Sequence, residues 1–594
     1  MSCSTRNALC YLAFAALGLL VYSPALTGGF LWDDTDWIVD NEALRTWGGL
    51  WRIWFEPGAV IQYYPLTYTS WWLDYQIWGL SEVAFHVENV LLHAANALLF
   101  GLLLGRLGLP GARLAALVFL LHPVHVESVA WIVERKNTLS MLFYLASAYM
   151  WLRYLDSDRR SSYYAAAGWF LCALLAKTAT LMLPVTLLAL TVWREGYRSR
   201  RLLSLLPLCA MSLVAAVVTY VMERGEGAVG HDWALTWAER LPLAGQIICF
   251  YLAKLLMPLQ LSFVYGKWDI APSTLSAWLP LGAFVACLAV GLCSRRRVVL
   301  AAGLALLVFA ANLMPVSGLV DFYYLRYAYV GDHFQYLASL SLIALLCCGG
   351  AWLLRGAPQG VGVAIAALVV SVLGYASWQR AAVFSDVESL WRHTLAVEPD
   401  AWLAHSNLGN LLAARGEPDD GIEHHQRAVA IYPDAFESNN ALGNFFVRRQ
   451  DFASAKHHFE RALRARPQDP LTFNNLGIAA GAQSDFRSAL SWFEQGLERA
   501  PANRDLRRNL SLLLSCAPDP EIRDGDRALV IARELNRVPE PSVVDEWALF
   551  RGLLLRGERE QAIEFGRQLL VRAQSEGSVD VARQLQEQLD RLGR

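Results

Sequence analysis

Two adjacent carboxylates, Asp33 and Asp34, follow directly on an uncharged apolar run in the tract Gly28-Gly29-Phe30-Leu31-Trp32-Asp33-Asp34. Carboxylates near low-dielectric walls can act as a general base or order a cation, although acid pairs also end helices at interfaces without doing chemistry. A second tract, His122-Pro123-Val124-His125-Val126-Glu127, opens a segment that Arg135-Lys136 closes. Basic side chains beside acids suit a phosphate. Lys177 stands between two apolar runs, a costly place for an ammonium unless it meets an anion, such as a lipid headgroup, or snorkels to the interface. The spacing His-x-x-His-x-Glu, interrupted by a proline, fits no helical zinc motif, so chemistry by a metal alone is not expected. No phosphate-cradling glycine loop and no Gly-x-Ser-x-Gly elbow occurs, which excludes nucleotide-fuelled and serine-hydrolase readings.

What must position these groups is a body of apolar helices. Of 594 residues, 55% are hydrophobic and 18% charged, and the mean hydropathy is positive, as in membrane proteins. A net charge of −2 without a basic stripe argues against a nucleic-acid partner. Cys172, Cys209, Cys249, Cys347 and Cys348 lie inside apolar runs with no CxxC pair, and read as small buried hydrophobes. Runs able to span or nearly span cover 8–27, 86–105, 112–121, 137–152, 162–176, 178–193, 202–222, 274–293, 298–316, 336–354 and 359–379. The first reads as an uncleaved helix, because Ser23-Pro24-Ala25 is a poor cleavage site.

Arginines in alternate short connections, among them Arg153/Arg159/Arg160 and Arg295/Arg296/Arg297, place those connections in the cytoplasm. That alternation requires 241–257 to be re-entrant or interfacial, leaving about eleven spans, an inner N-terminus and an outer C-terminus. The acid pair in a long first loop (28–85), the His122–Lys136 segment, Lys177 and the last loop (Asp321–Tyr336) then share the outer side. Trp47, Trp51, Trp54, Tyr63, Tyr64, Tyr68, Trp71 and Trp72 in the first loop read as an interfacial belt or as sugar platforms.

Near residue 380 the character of the chain changes. Pro399, Pro433, Pro467 and Pro501 recur every 34 residues on a polar background, as do Leu408-Gly409, Leu442-Gly443 and Leu476-Gly477. Trp391, Phe459 and Phe493 share one register position, as do Ala455 and Ala489. This is the tetratricopeptide pattern, in which small residues let helices approach, aromatics fill the gap and proline ends the second helix. The expected domains are a membrane body (1–380), tetratricopeptide repeats (381–504) and degenerate helical repeats or a cap (505–594). A groove of stacked helix pairs suits an extended peptide or protein, and the arm is expected over the outer mouth of the body.

Trp32-Asp33-Asp34, the tract His122–Ala130, Lys177-Thr178 after an apolar helix and Met314-Pro315 before an outer loop resemble one family over nearly the whole chain. It is the transmembrane and tetratricopeptide-repeat-containing O-mannosyltransferases with their bacterial relatives. The resemblance implies an all-α fold: a polytopic glycosyltransferase C body followed by a tetratricopeptide α-solenoid. It also implies a multi-pass protein of a bacterial inner membrane, with its repeats periplasmic. The donor would be a hexose, mannose being expected, on a polyprenyl phosphate, and the acceptor a Ser/Thr hydroxyl of a protein held by the repeats. Asp33 or Asp34 would be the base, with Glu127 orienting the acceptor or His125. Arg135, Lys136, Lys177 and His333 would hold the donor phosphate. The family's Asp-Arg-Tyr-like stretch appears as Gly331-Asp332-His333-Phe334-Gln335-Tyr336, with His333 where the arginine is usual. His122, His125, Asp332 and Tyr336 would line the acceptor or sugar site. Membrane lipid is a further partner, no resident cofactor is implied, and a divalent cation is left open. The alternatives are a non-enzymatic membrane scaffold and a transferase acting on glycan or lipid acceptors.

Overall fold

A computed structural model describes residues 3–56, 58–225 and 235–592, and these are helical with no strand. The chain divides into two compact units, Met1–Ala401 and Trp402–Arg594. The first opens with α1 (Cys3–Val21), then α2 (Trp47–Phe55) and α3 (Pro65–Trp78) in the first loop. Next come α4 (Glu82–Arg106), α5 (Ala112–Leu121), the short α6 (Val126–Ala130), α7 (Arg135–Ser157) and α8 (Arg160–Ala176). After a 3-10 turn at Thr178–Met182 follow α9 (Leu183–Glu195), α10 (Leu206–Gly225), α11 (Trp237–Leu256) and α12 (Leu275–Cys293). The unit ends with α13 (Arg297–Leu313), α14 (Ser339–Leu353), α15 (Gln359–Ala382) and α16 (Val387–Val397).

Each apolar run carries a helix, but among the described residues six helices are both long and apolar enough to cross a membrane. They are Glu82–Arg106, Arg200–Met222, Leu275–Cys293, Arg297–Val316, Ser339–Gly356 and Gly360–Ala382. A seventh is counted if Ala112–Leu121 and Pro123–Ala130, bent by 54°, form one span. Helices α8 and α9 have only 17 and 13 residues. The segment expected to be re-entrant or interfacial is one unbroken helix, α11, despite Pro242 inside it. Cys347 and Cys348 are buried as expected of small hydrophobes, whereas Cys209 is exposed on α10, which turns most of its surface outward.

The bend between α5 and α6 has a definite cause. Pro123 has no N–H for the Phe119 carbonyl. The Val124 N–H turns to His122 Nδ1 (3.4 Å) and the His125 N–H to the His122 carbonyl (3.0 Å), so Leu120 and Leu121 also lose their helical partners. Side chains replace all three: His125 Nδ1 meets the Phe119 carbonyl at 2.8 Å, His93 Nε2 that of Leu120 at 3.1 Å and Ser377 Oγ that of Leu121 at 2.8 Å. Broken helices survive in apolar surroundings only with such internal partners. His125→Ala should strand the Phe119 carbonyl and cost about 1–3 kcal/mol, read as a lower thermal midpoint of the purified chain.

On α4, His86, Asn89, His93 and Asn96 form a buried polar stripe at heptad-like spacing. Asn89 Nδ2 donates to the carbonyls of Val129 and Ile132, and Asn96 Nδ2 to that of Thr138 at 2.8 Å. The stripe thus holds the irregular 122–138 segment in place.

The seam between units falls after α16, later than the change of composition near 380. The apolar face of α16 explains this: Trp391 is buried against Trp32 (5.9 Å) and Phe263 (5.5 Å) of the first unit.

The second unit stacks helix pairs: α17 (Trp402–Ala414) with α18 (Pro418–Ile431), α19 (Phe436–Arg448) with α20 (Phe452–Ala465), and α21 (Pro470–Ala482) with α22 (Phe486–Arg499). Beyond the clear repeats the pairing continues through α23 (Arg504–Cys516), α24 (Gly525–Leu535), α25 (Val543–Arg556), α26 (Arg559–Ser575) and α27 (Val579–Leu592). Gly443 and Gly477 are where the helices of a pair touch. A Cβ there would lie 2.4 Å from the Phe459 ring and 2.3 Å from the Phe493 ring. One repeat earlier His425 takes the aromatic position, 2.9 Å from a Cβ on Gly409. Gly477→Val should force that pair apart and destabilise the arm by about 1–3 kcal/mol, detected as early loss of helicity on heating.

Candidate functional site

The tertiary structure gives the two acids of the pair different jobs. Trp32, just before them, has φ +43°, a strained conformation for a bulky residue. An aromatic cage holds it there: its ring stacks on Trp131 at 5.8 Å and meets Phe263, Tyr327 and Trp391 edge-on. Asp34 is fully buried, and its carboxylate accepts the N–H of Leu31 (2.8 Å) and of Val133 (2.7 Å). It therefore staples the first loop to the 122–134 segment. Burial raises its carboxyl to about 8 against the pull of those two donors. Asp33 is partly exposed, and among the described residues its carboxylate accepts no hydrogen bond. Burial raises it to about 6, with Lys136 pulling the other way.

Beside Asp33 lies a group centred on Glu134, a residue the sequence reading did not single out. Its two oxygens meet Lys136 Nζ at 3.0 Å and Lys177 Nζ at 3.2 Å, and Asn137 Nδ2 donates to it at 2.5 Å. Lys177 also donates to Asn137 Oδ1 at 2.8 Å, and Lys136 sits 4.4 Å from the centre of the Trp37 ring. Burial would raise Glu134, but Lys136 and Lys177 overcome it and hold the carboxyl well below the usual range. Burial also brings Lys177 down to about 8, with Glu134 opposing. Two ammoniums around one carboxylate leave a surplus of positive charge. The signal available in the sequence was an acid immediately before Arg135-Lys136.

Arg135 belongs elsewhere. Its guanidinium binds Asp74 and Glu88 (3.2 Å), donates to Asn89 Oδ1 (2.9 Å) and to the Phe85 carbonyl (3.1 Å), and packs over the Phe85 ring. The expected phosphate contact is corrected to a buried strut, since its donors are already engaged.

On the other side of Lys136 the last loop comes in through a 3-10 turn at Asp332–Gln335. His333 Nδ1 is bound to Glu127, and the His333 carbonyl accepts from Asn137 Nδ2 at 3.0 Å. Burial pushes His333 down to about 3, so it is neutral and no substitute for a phosphate-binding arginine. Asp332 accepts from the Tyr265 hydroxyl at 3.0 Å, and burial raises it to about 6, with Arg380 opposing. Glu127 Oε2, Asp332 Oδ2 and Arg380 Nη2 are buried without a partner. The sequence reading missed Arg380, although it ends an apolar helix. Among the described residues no three His, Cys, Asp or Glu side chains converge as a metal site.

Three residues expected to line the acceptor or sugar site are structural. His122 Nε2 donates to the Leu255 carbonyl (3.0 Å) and its Nδ1 accepts the Val124 N–H. His125 gives Nδ1 to Phe119 and Nε2 to Ser339 Oγ (2.9 Å). The Tyr336 hydroxyl is enclosed by His93 Nδ1 (2.7 Å) and Asn96 Nδ2 (3.3 Å). The first-loop aromatics divide: Trp47, Trp51 and Phe55 form an exposed stripe on α2, while Tyr68, Trp71 and Trp72 are buried.

An apolar groove of about 430 Å³ runs along α8 and α10 under Ile61–Tyr64, with Thr178, the neighbour of Lys177, at its edge. Thr67 Oγ1, donating to the Ala176 carbonyl at 2.8 Å, ties the first loop to this end of α8.

Family models described as Tetratricopeptide repeat match residues 387–436 and 434–502. These segments are tetratricopeptide repeats. Among solved structures the chain is similar to YrrB, described as a TPR protein with an unusual peptide-binding site, at 17% identity and a TM-score of 0.28, covering 34% of this chain and 100% of that one. It is similar to Pseudomonas aeruginosa pilF at 18% identity and a TM-score of 0.29, covering 35% and 89%. Yeast Tom70 aligns at 12% identity and a TM-score of 0.26, covering 80% and 92%. No curated protein matches.

Proposed function

We propose that this chain is a multi-pass membrane glycosyltransferase that moves a hexose, mannose being the expected one, from a polyprenyl phosphate to Ser/Thr hydroxyls of a protein presented by the repeats. The body would lie in a bacterial inner membrane with about eleven spans and a glycosyltransferase C fold, the site and repeats facing the periplasm. One observation carries the reading: Asp33, the acid of the pair without a hydrogen-bond partner on its carboxylate, stands beside a buried group with more ammonium than carboxylate, next to an apolar groove. That combination suits a base, a phosphate and a lipid tail in one place.

In the proposed reaction the acceptor oxygen attacks the anomeric carbon while Asp33 takes the hydroxyl proton. The bond from the anomeric carbon to the phosphate oxygen breaks, and its electron pair leaves on the lipid phosphate. Lys136 and Lys177 stabilise that developing charge. Glu127 and Asp332, each with one free carboxylate oxygen, would orient the sugar or the acceptor.

Asp33 must be ionised to act, so the rate falls as pH drops through about 6. Lys177 must be protonated, so it falls again as pH rises through about 8. A bell-shaped kcat/KM profile with those limbs is expected, and a flat one between pH 5 and 9 would remove both assignments. The direct test incubates the purified full chain with polyprenyl phosphomannose and Ser/Thr-containing peptides and looks for a hexose by mass spectrometry. No transfer from this or other polyprenyl-phosphate hexoses would sink the proposal. The repeats also favour a second reading, a membrane-anchored scaffold, which requires that substitution of Asp33 change nothing while substitutions in the repeat groove abolish partner binding.

A further inference from the structure

A second cavity, of about 520 Å³, lies between α4, α7, α9, α13 and α14, and none of its lining is shared with the groove beside Lys177. Its stripe along α14 and the 3-10 turn Leu354–Gly356 that follows runs from Leu340 to Arg355, about 22 Å at the helical rise. One end holds Arg297 and Arg355 together with Trp193 and Trp352, and the walls between are almost wholly apolar. The Arg297 guanidinium sits 5.5 Å from the centre of the Trp193 ring. By contrast Arg106 and Arg194 share a carboxylate, Asp156, each at 2.8 Å. Among the described residues Arg297 and Arg355 meet no carboxylate. A long apolar slot ending in two uncompensated guanidiniums flanked by tryptophans matches an amphiphile with an anionic head, and basic pockets between membrane helices on the cytoplasmic side bind such heads.

We propose that this cavity is a binding site for one anionic phospholipid of the cytoplasmic leaflet, with its phosphate on Arg297 and Arg355 and an acyl chain in the slot. The site rests on the membrane placement of the first unit and not on the glycosyl-transfer reading.

The test is native mass spectrometry of the full chain released from nanodiscs of equal parts phosphatidylglycerol and phosphatidylcholine. Wild type should retain one phosphatidylglycerol, preferred at least tenfold. R297Q/R355Q should lose the preference, R295Q/R296Q on the same loop should keep it, and Ala305→Trp, which fills the slot, should abolish retention. Equal retention of the two lipids by wild type would overturn the site, as would unchanged preference in R297Q/R355Q or retention by Ala305→Trp. Displacement by polyprenyl phosphate would assign the cavity to a different lipid and overturn it too, as would a thermal shift of lipid-free protein with inorganic phosphate alone. If R297Q/R355Q does not fold, the wild-type competition and Ala305→Trp decide. Transfer measured separately with Asp33 variants keeps the two proposals distinguishable.

Discussion

Replacing Asp33 by asparagine is expected to lower the turnover of hexose transfer by about 10²–10⁴-fold, the contribution of a positioned base. The effect should fall on kcat with little change in donor affinity, because Lys136 and Lys177 keep their Glu134 partner. The chain should stay folded, since the lost carboxylate accepts no hydrogen bond among the described residues. Asp34→Asn should behave in the opposite way. That carboxylate takes the N–H groups of Leu31 and Val133, and an amide presents one acceptor oxygen where two are used. Stability should fall by about 1–3 kcal/mol, with transfer reduced only as far as folding is. Kinetics and thermal midpoints on both variants check this. A dead but stable Asp34→Asn beside an active Asp33→Asn would reverse the assignment.

The largest loss of stability is expected at Glu134. Its side chain is 1% exposed and both oxygens hold ammoniums. Glu134→Gln keeps the shape and removes the charge, leaving Lys136 and Lys177 uncompensated. Breaking a buried ion pair by removing one partner typically costs about 3–5 kcal/mol, reduced here to the extent that Lys177, already brought down to about 8, gives up its proton. Adding Lys177→Met should restore much of the stability, because the second unpaired charge goes with it. Transfer should not return, since the phosphate would still lack that cation. Thermal midpoints for the single and double variants, with transfer measured on both, make the comparison. Recovery of transfer in the double variant would mean that Lys177 does not serve the donor.

Much of the architecture was readable from local pattern. The 34-residue period placed the repeat helices, and the glycine and aromatic positions within it meet in space at Gly443–Phe459 and Gly477–Phe493. The period works because each repeat contacts its neighbours in the same way, so sequence spacing and spatial spacing coincide. Apolar runs likewise marked where helices form, since burial over a helix's length is written in consecutive residues. Long-range packing was less legible: α16 lies within the matched repeats, yet its Trp391 packs on Trp32, more than 350 positions earlier in the chain.

The site was legible as a list of groups and illegible as a set of roles. The sequence alone singled out an acid pair, a His-Pro-Val-His tract and isolated cations in an apolar body. Residue type states which atoms can donate or accept, but not which are already engaged. That depends on partners far away in the chain: Val133 for Asp34, Asp74 for Arg135, and Ser339 for His125. Each of those contacts removes a polar atom from chemistry, because a buried donor or acceptor must be satisfied where it stands. Only the tertiary structure could leave the Asp33 carboxylate unengaged, place Glu134 between two lysines and turn the histidine tract into the brace of a broken helix.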